Sequence, residues 1–564
     1  SCSISFYIDW FSISGTVPVG EEHYDLSKLL HTSCGKSYVE LKDSIIFIPD
    51  TLNKVSKYTA ENEQIHVPKR DMWAVHQIAS AYQVDPGDYL QKFSDFEEYT
   101  AEFGPKWENA LRSYQKAGVN WMLNLYKNHF SGCLADDMGL GKTVQAIAFL
   151  CCNGKCSNFP DLIVSPKIVI DNWVNELKKF APNKKFIKAY GSFDFSCVTQ
   201  EDIIYITTYD TLIHHNEAFS NISYDSVILD ESQYIKNHHT RRYRALKSIH
   251  HQFMLALSGT PIENSIEELW SLFNLLNPGM LGSHGVFIKA FASISTDKEQ
   301  LVRLQKIIAP FLLRRTKEAV LKDLPPKEEC RIYCEMADTQ RFLYDTLLSN
   351  VRNEVQTKSS RYRIKDSAMI LQGLLYLREV CSDPMLLPPE IRSMTPCDSC
   401  KFSLFQKYCK KIIDGFNKVI VYSLFPRVLR KLESWCQQQG WNTYYIDGTT
   451  NNRQNIVDDF EEAQQGVFLI SLKAGGVGLN LTSCQYVLIY DPWWNSAAEQ
   501  QAANRVYRIG QDKPVFIYHF LVKDTIEEKI YELQRKKSDL SSSVLDDLKP
   551  SSRLSMEEIC KLLL

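Results

Sequence analysis

No stretch of the 564-residue chain approaches the ~18 consecutive apolar residues that cross a bilayer, and the N-terminus lacks a basic region followed by an apolar one. A helical membrane span and a secretory signal are therefore not expected, and a cytoplasmic location is. Charge of one sign is lacking too. The chain has 64 Lys and Arg against 67 Asp and Glu, a net charge of −3, so any binding of a polyanion must come from local basic patches. The 16 cysteines follow no regular framework. That pattern excludes a disulfide scaffold and fits reduced thiols in a cytosol or nucleus. One Cys-x-x-Cys, Cys397 to Cys400, has no second pair to complete a zinc ribbon, and Cys381 and Cys409 do not stand at ligand spacing. These are read as structural thiols. No recognisable nuclease constellation occurs. The chain begins at Ser1 rather than Met, which raises the expectation of a fragment.

What is present is an ordinary globular composition, 44% hydrophobic and 23% charged, long enough for three or four domains of ~150 residues. Its organising stretch is Ser131 to Leu150, SGCLADDMGLGKTVQAIAFL. A short apolar approach (Cys133, Leu134, Ala135) enters a glycine-rich turn. Lys142 and Thr143 then open a segment with Val144, Ile147, Ala148 and Cys151 at the spacing of a helix face. Strand, phosphate loop and helix is the reading. Lys142 would reach the β- and γ-phosphates and Thr143 would sit on Mg²⁺. Asp136 stands at the first position of the loop, where Gly or Ala is usual.

Buried-strand runs follow at Leu162–Val164, Ile203–Ile206, Val227–Leu229 and Met254–Leu257, separated by helical stretches. Such alternation predicts a parallel sheet, in which ligands gather at the carboxyl ends of the strands. Asp230-Glu231-Ser232-Gln233 follows the third run, and Ser258-Gly259-Thr260-Pro261 the fourth. Asp230 can hold Mg²⁺ and Glu231 can polarise an attacking water. Ser258 and Thr260 have no histidine placed to activate them and are read as a relay.

A second block of the same architecture begins near Asn417, with runs at Val419–Val421, Tyr444–Ile446, Val467–Ile470, Val487–Ile489 and Val515–Tyr518. It has no second Gly-Lys-Thr. It carries Gln501, Arg505 and Arg508 in QAANRVYRIGQ instead, and the two arginines are three apart, as on one helix face. Two planar cations suit the transition state of phosphoryl transfer, whereas an isolated arginine pair is more often a solvated face. Trp493 and Trp494 are read as packing between lobes rather than as base-stacking groups. Arg241-Arg242-Tyr243-Arg244 with Lys247 suits a solvated helix face as well as it suits DNA.

Seven ordered blocks, DDMGLGKT, DESQ, LSGTPIENSIEELWSLFNLLNPG, FLLRRTKEAV, SLKAGGVGLNLT, DPWWN and QAANRVYRIGQ, resemble the SWI/SNF-type (sucrose non-fermenting) helicase-like ATPases of superfamily two over about Lys106 to Lys537. The resemblance implies an α/β fold of two RecA-like lobes, each a parallel sheet with helices on both faces, and an N-terminal α+β accessory domain. It implies an ATP hydrolase that uses ATP and Mg²⁺ and translocates on double-stranded DNA, with other proteins of a larger complex as possible partners. Gln115 is implied to recognise adenine. Asp137, Gly139, Gly141, Lys142, Thr143, Gly478 and Gln501 are implied to bind nucleotide, and Thr143 and Asp230 the metal. Asp230 and Glu231 would activate water, with Arg505 and Arg508 as fingers from the second lobe. Lys167, Thr207, Thr208, Arg314, Arg315 and Lys473 are implied to touch DNA phosphates without reading bases. Ser232 departs from the Ala or Gly more usual in the family but stays small.

Five parts are expected: an accessory domain over 1–104, a nucleotide-binding lobe over 105–325, a short helical inter-lobe segment over 326–400, a second lobe over 401–545 and a tail over 546–564 whose capping box, Ser555 to Glu558, opens a helix at Ile559–Leu564. Bromodomain-like, chromodomain-like and zinc-finger patterns are missing. Residues 30–55 loosely resemble the accessory domain of bacterial members, which favours a bacterial enzyme over a chromatin remodeler. A strand-separating helicase and a non-hydrolysing nucleotide scaffold remain as alternatives, as do several biological tasks, including phage defence.

Overall fold

The computed structural model of the protein describes residues 2–6, 10–19, 22–33, 38–41, 44–48, 52, 60–61, 64–68, 99–152, 158–199, 201–235, 237–259, 266–291, 298–321, 325–357, 364–392, 398–450, 453–472, 481–493, 496–508 and 510–539. Early in the chain the strands are antiparallel. β1 (Cys2–Phe6), β2 (Trp10–Val19), β6 (Ala60–Glu61) and β7 (Gln64–Pro68) align in the order β1-β2-β7-β6, with β3 (Glu22–Asp25) on β2. β4 (Tyr38–Leu41) and β5 (Ser44–Phe47) form a separate hairpin. The helix Leu26–Ser33 buries Leu26, Leu29 and Leu30, the i, i+3, i+4 spacing of one face. The expected tail helix at Ile559–Leu564 lies outside the described residues.

From residue 132 onward every strand pairing is parallel. Leu162-Ile163-Val164 and Val227-Ile228-Leu229 are apolar at successive positions, the pattern of strands covered on both faces, and all six residues are fully buried. The first lobe holds β8 (Gly132–Leu134), β9 (Asp161–Ser165), β10 (Phe186–Lys188), β11 (Ile204–Thr208), β12 (Ser223–Leu229), β13 (His250–Leu257) and β14 (Leu312–Leu313). They pair in the order β10-β11-β9-β12-β13-β8-β14. The second lobe holds β15 (Lys327–Cys334), β16 (Lys418–Ser423), β17 (Thr443–Ile446), β18 (Gly466–Ser471), β19 (Tyr486–Ile489) and β20 (Val515–Val522), in the order β15-β20-β19-β16-β18-β17. Two RecA-like lobes are thus the fold. Chain contacts divide the protein into residues 1–136 with 141–314 and residues 137–140 with 315–564.

The segment expected to be a helical inter-lobe piece begins instead with β15, an eight-residue strand paired along its length with β20. Four of its five exposed positions are charged (Lys327, Glu328, Glu329, Arg331) and the fifth is Tyr333, so the apolar run that marks the other strands is missing. The helices Asp338–Thr357 and Ile364–Ser382 follow. Leu343, Tyr344, Leu374 and Leu377 from this pair form a core with Ile526 and Ile530 of the helix Ile526–Asp539.

The second lobe also buries a charge cluster. Lys401, fully buried at the start of the helix Cys400–Asp414, donates through Nζ to Glu527 Oε1 at 2.7 Å and to the Tyr490 carbonyl at 2.7 Å, with Asp491 Oδ1 at 3.8 Å. Glu527 Oε2 accepts from the Val522 amide at 3.1 Å. Removing one partner of such a pair leaves the other charged and dry, at a cost of ~3–5 kcal/mol. An exposed pair such as Lys188–Asp171, 2.6 Å apart, contributes about 1 kcal/mol or less. Glu527→Ala is expected to shift denaturant unfolding of the second lobe several-fold more than Asp171→Ala shifts that of the first; equal shifts would assign the Lys401 cluster no special weight.

Candidate functional site

Parallel pairing brings the carboxyl ends of the first lobe's central strands level. Leu134 stands opposite Leu257, Leu229 opposite both Ala256 and Val164, and Thr208 opposite Ser165. The backbone continues the ladder past the strand ends: the Asp230 amide donates to the Val164 carbonyl at 2.8 Å and the Ser258 amide to the Leu134 carbonyl at 3.1 Å. The segments that begin at Ala135, Asp230 and Ser258 therefore leave the sheet along one edge. Residues 100 or more positions apart become neighbours there.

The glycine-rich turn is built for close approach. Gly139 and Gly141 have φ of +89° and +79°, a region costly for other residues. The helix Lys142–Cys152 opens at once, so its first amides have no partner within the helix. Lys142 Nζ donates to the Asp136 carbonyl at 2.7 Å. Asp136 is fully buried, and its Oδ2 accepts from Gln145 Nε2 at 3.2 Å, which explains how an acidic residue is accommodated at the first loop position. Gln115 is buried, and its Oε1 accepts from the Arg112 amide at 3.0 Å in a capping box at the start of the helix Ser113–Lys127. A Cβ at Gly141 would stand 2.5 Å from Gln115 Nε2. The glutamine amide is thus held against the loop. Asp137 Oδ2 accepts from the Lys317 amide at 3.1 Å.

The acidic pair is anchored by residues that the motif reading did not single out. Trp173 Nε1 donates to Asp230 Oδ2 at 2.8 Å, and the Tyr209 hydroxyl donates to the Asp230 carbonyl at 2.7 Å. Both aromatic residues are buried. A buried indole N–H or phenol needs a polar partner, so the Trp of IDNW and the Tyr of TTYD carried a signal for this role. Burial, and next the neighbouring Glu231 charge, push the Asp230 carboxyl up to about 6. Glu231 has φ of +49°, in the left-handed region that few non-glycine residues occupy, and its Oε2 accepts from Gln233 Nε2 at 2.8 Å. A buried carboxyl with a raised pKa beside a second carboxyl fits a divalent cation, whose charge would favour the ionised form.

The proposed DNA contacts separate into several groups. Lys167 is exposed in the short turn Lys167–Val169 that follows β9, on the same edge. Thr207 is different: it is fully buried and its hydroxyl donates to the Ala189 carbonyl at 2.7 Å, so it has no surface to offer a phosphate. Thr208 caps the helix Tyr209–His214, accepting from the Thr211 amide at 3.0 Å. Both threonines are spent on local structure because they end a central strand and start a helix. Arg314 and Arg315 are half-buried and follow β14, next to β8. Lys473, Gly478 and Thr260 lie outside the described residues. Arg242 is paired with Asp210 at 2.8 Å, and Arg244 donates to the His239 carbonyl at 2.9 Å, as on a solvated face.

In the second lobe the helix Ser496–Val506 carries Gln501 and Arg505. It ends before Arg508, so the two arginines do not share a helix face as their spacing predicts. Beyond the helix, Gly510 stands at φ +97°, and Gln511 donates through Nε2 to the Cys484 carbonyl at 2.9 Å and through its amide to the Arg508 carbonyl at 3.1 Å. Trp493 packs on the second lobe's own core, with the Arg378 guanidinium 5.7 Å from its ring centroid. Trp494 lies outside the described residues. Among the described residues no helix is long and apolar enough to cross a membrane, and no group of three or more His, Cys, Asp or Glu could hold a metal ion.

Two family models match in succession, the SNF2-related domain over residues 114–386 and the helicase conserved C-terminal domain over residues 401–510. The chain is 36% identical over 463 residues to an uncharacterized ATP-dependent helicase of Mycoplasma genitalium, covering 80% of this chain and 44% of that protein. It is 34% identical over 475 residues to the putative ATP-dependent helicase/translocase YwqA of Bacillus subtilis, covering 81% and 51%. A solved SWI2/SNF2 ATPase core of Sulfolobus solfataricus in complex with double-stranded DNA is 33% identical, covering 83% of this chain and 98% of that one, with a TM-score of 0.39. The chain spans about half the length of the curated relatives it matches. With both models matched in order across the two lobes, the chain belongs to the SNF2 family of helicase-like ATPases.

Proposed function

We propose that this chain is the motor of a DNA-stimulated ATPase that translocates on double-stranded DNA and remodels or displaces what is bound there. The observation that carries the reading is the shared edge of the first lobe, where the phosphate loop, the Asp230–Glu231 pair and Ser258 meet, with Gln115 held against Gly141. Phosphoryl transfer asks mainly for positioning and charge stabilisation, and these groups supply both. Lys142 and the loop amides hold the β- and γ-phosphates. Glu231 orients and deprotonates the attacking water. Bound Mg²⁺ would neutralise phosphate charge, held by Thr143 and Asp230. Arg505 and Arg508 supply cations to the transition state, and Gly478 and Gln501 belong to the nucleotide set. Lys167, Arg314, Arg315 and Lys473 contact the DNA backbone, while Thr207 and Thr208 shape the turn between them. Strand separation is the alternative reading, and it differs in the DNA that drives the ATPase. A motor of this kind works in the cytoplasm or nucleus, within a larger assembly in many settings, phage defence among them.

Lys142→Ala is expected to weaken ATP binding, whereas Glu231→Gln is expected to retain binding and lose turnover, because only the water-orienting carboxylate is removed. Nucleotide affinity and steady-state hydrolysis measured side by side check this; near-normal turnover in Glu231→Gln would remove the acidic pair from the mechanism. Arg508→Ala should bind ATP and lose on the order of 10³-fold or more in turnover, the effect of losing a finger.

Duplex DNA should stimulate hydrolysis, and the stimulation should fall steeply between about 50 and 200 mM salt, since contacts to several phosphates release counterions. A titration of ATPase rate against salt with duplex and single strands tests it. Stimulation by single strands alone would support the helicase reading.

A further inference from the structure

The half-buried cysteines Cys334 and Cys400 form a thiol pair that the nucleotide site does not use. Cys334 ends β15, and its Sγ lies 3.4 Å from Cys400 Sγ, in hydrogen-bond contact, with the Leu521 carbonyl at 3.7 Å. Cys400 is the first residue of a 15-residue helix capped by Ser399, whose Oγ accepts from the Phe402 amide. The pair is held on both sides by fixed elements. The Cys400 amide donates to Gln340 Oε1 at 3.1 Å, Gln340 Nε2 donates to the Val380 carbonyl at 2.8 Å, and Ser399 Oγ donates to the Ser382 carbonyl at 2.9 Å. The strand partner Val522 stands opposite Cys334 and belongs to the same core. Neither sulfur is expected to drift away from the other.

We propose that Cys334 and Cys400 are a redox modification site, a dithiol converted to an intramolecular disulfide by small-molecule disulfides such as oxidised glutathione. A disulfide needs its sulfurs about 2.05 Å apart, and these two stand 3.4 Å apart, so the bond asks for an approach of only about 1.4 Å. Cys400 is the attacking group. The Cys334 S–H donates to it, and the helix N-terminus and the neighbouring Lys401 ammonium favour its thiolate, while the same hydrogen bond and burial hold Cys334 in the thiol form. The steps balance. Cys400 thiolate attacks one sulfur of oxidised glutathione, whose S–S bond breaks to release one glutathione thiolate. Cys334, losing its proton, then attacks the Cys400 sulfur of the mixed disulfide and releases the second. The protein loses two hydrogens and two glutathiones gain them. Cys409 and Cys436 are also hydrogen-bonded to each other, but both are fully buried, beyond the reach of the oxidant. The product closes a loop that contains the helices Asp338–Thr357 and Ile364–Ser382 and staples the edge strand of the second sheet to the helix that carries Lys401.

The proposal stands apart from the ATPase reading and is tested without it. The full chain is incubated with oxidised glutathione, free thiols are alkylated after denaturation, and protease fragments are mapped by mass spectrometry with and without dithiothreitol. The expected result is a dithiothreitol-sensitive link between the Cys334 and Cys400 peptides that forms ahead of any other. Cys334→Ser should stop at glutathione attached to Cys400, whereas Cys400→Ser should leave Cys334 largely unmodified. Absence of the link in the unmodified sequence, prior linkage of Cys409 to Cys436, or equal glutathione attachment to Cys334 in Cys400→Ser would each overturn it.

Discussion

Parallel strands cannot be joined by tight turns. Each must be followed by a crossover that carries the chain back before the next strand starts, so every strand of a lobe ends on the same side. The chemistry of this protein depends on that constraint. Asp136 and Asp230 are far apart in sequence, yet the pairing of β8, β13, β12 and β9 sets them on one edge. The central strands carry runs of successive apolar residues at 162–164, 227–229 and 253–257, which are covered on both faces and leave the loops at the edge to vary in composition.

The protein buries charge in two contrasting ways. Lys401 is surrounded by Glu527, Asp491 and the Tyr490 carbonyl, and its ammonium is held above the usual lysine range despite complete burial, because the acidic neighbours outweigh the loss of water. Asp230 is buried too, if less completely, but has an acidic neighbour, and the Trp173 and Glu231 hydrogen bonds and the Lys142 charge do not restore an ordinary pKa. The first arrangement is closed and cohesive. The second stores an unmet demand for positive charge, which is what separates a binding site from a structural ion pair.

Much of this was legible in the sequence, for a physical reason. Strands covered on both faces announce themselves as uninterrupted apolar runs, so Val419–Val421, Val467–Ile470 and Val487–Ile489 reappear as the heart of the second sheet. Three of the four edge strands of the two lobes do not: β10 and β14 are three and two residues long, and β15 is mostly charged where it is exposed, whereas β17 keeps two buried residues, Tyr445 and Ile446, that show in the sequence. Side-chain partners are harder still. Nothing local to Trp173 says that its indole reaches a carboxylate 57 positions away, and the burial of Thr207 depends on how Ala189 is placed beside its strand. Helix ends are equally hard to read from spacing, since the helix stops at Val506 and leaves Arg508 outside it.

The pairing of β15 with β20 joins the first strand of the second lobe to its last, Lys327 opposite Val515 and Cys334 opposite Val522. During synthesis β15 emerges long before its partner. At ribosomal rates of ~5–20 residues per second, β15 waits on the order of ten seconds or more without a ladder to join. A bare strand edge in that interval invites pairing with other chains, and the lysine, glutamates and arginine along β15 disfavour it. The same charges that hide this strand from a hydrophobicity reading therefore guard the nascent chain, so neutralising them would be felt first as aggregation during expression, in a protein whose finished fold was unchanged.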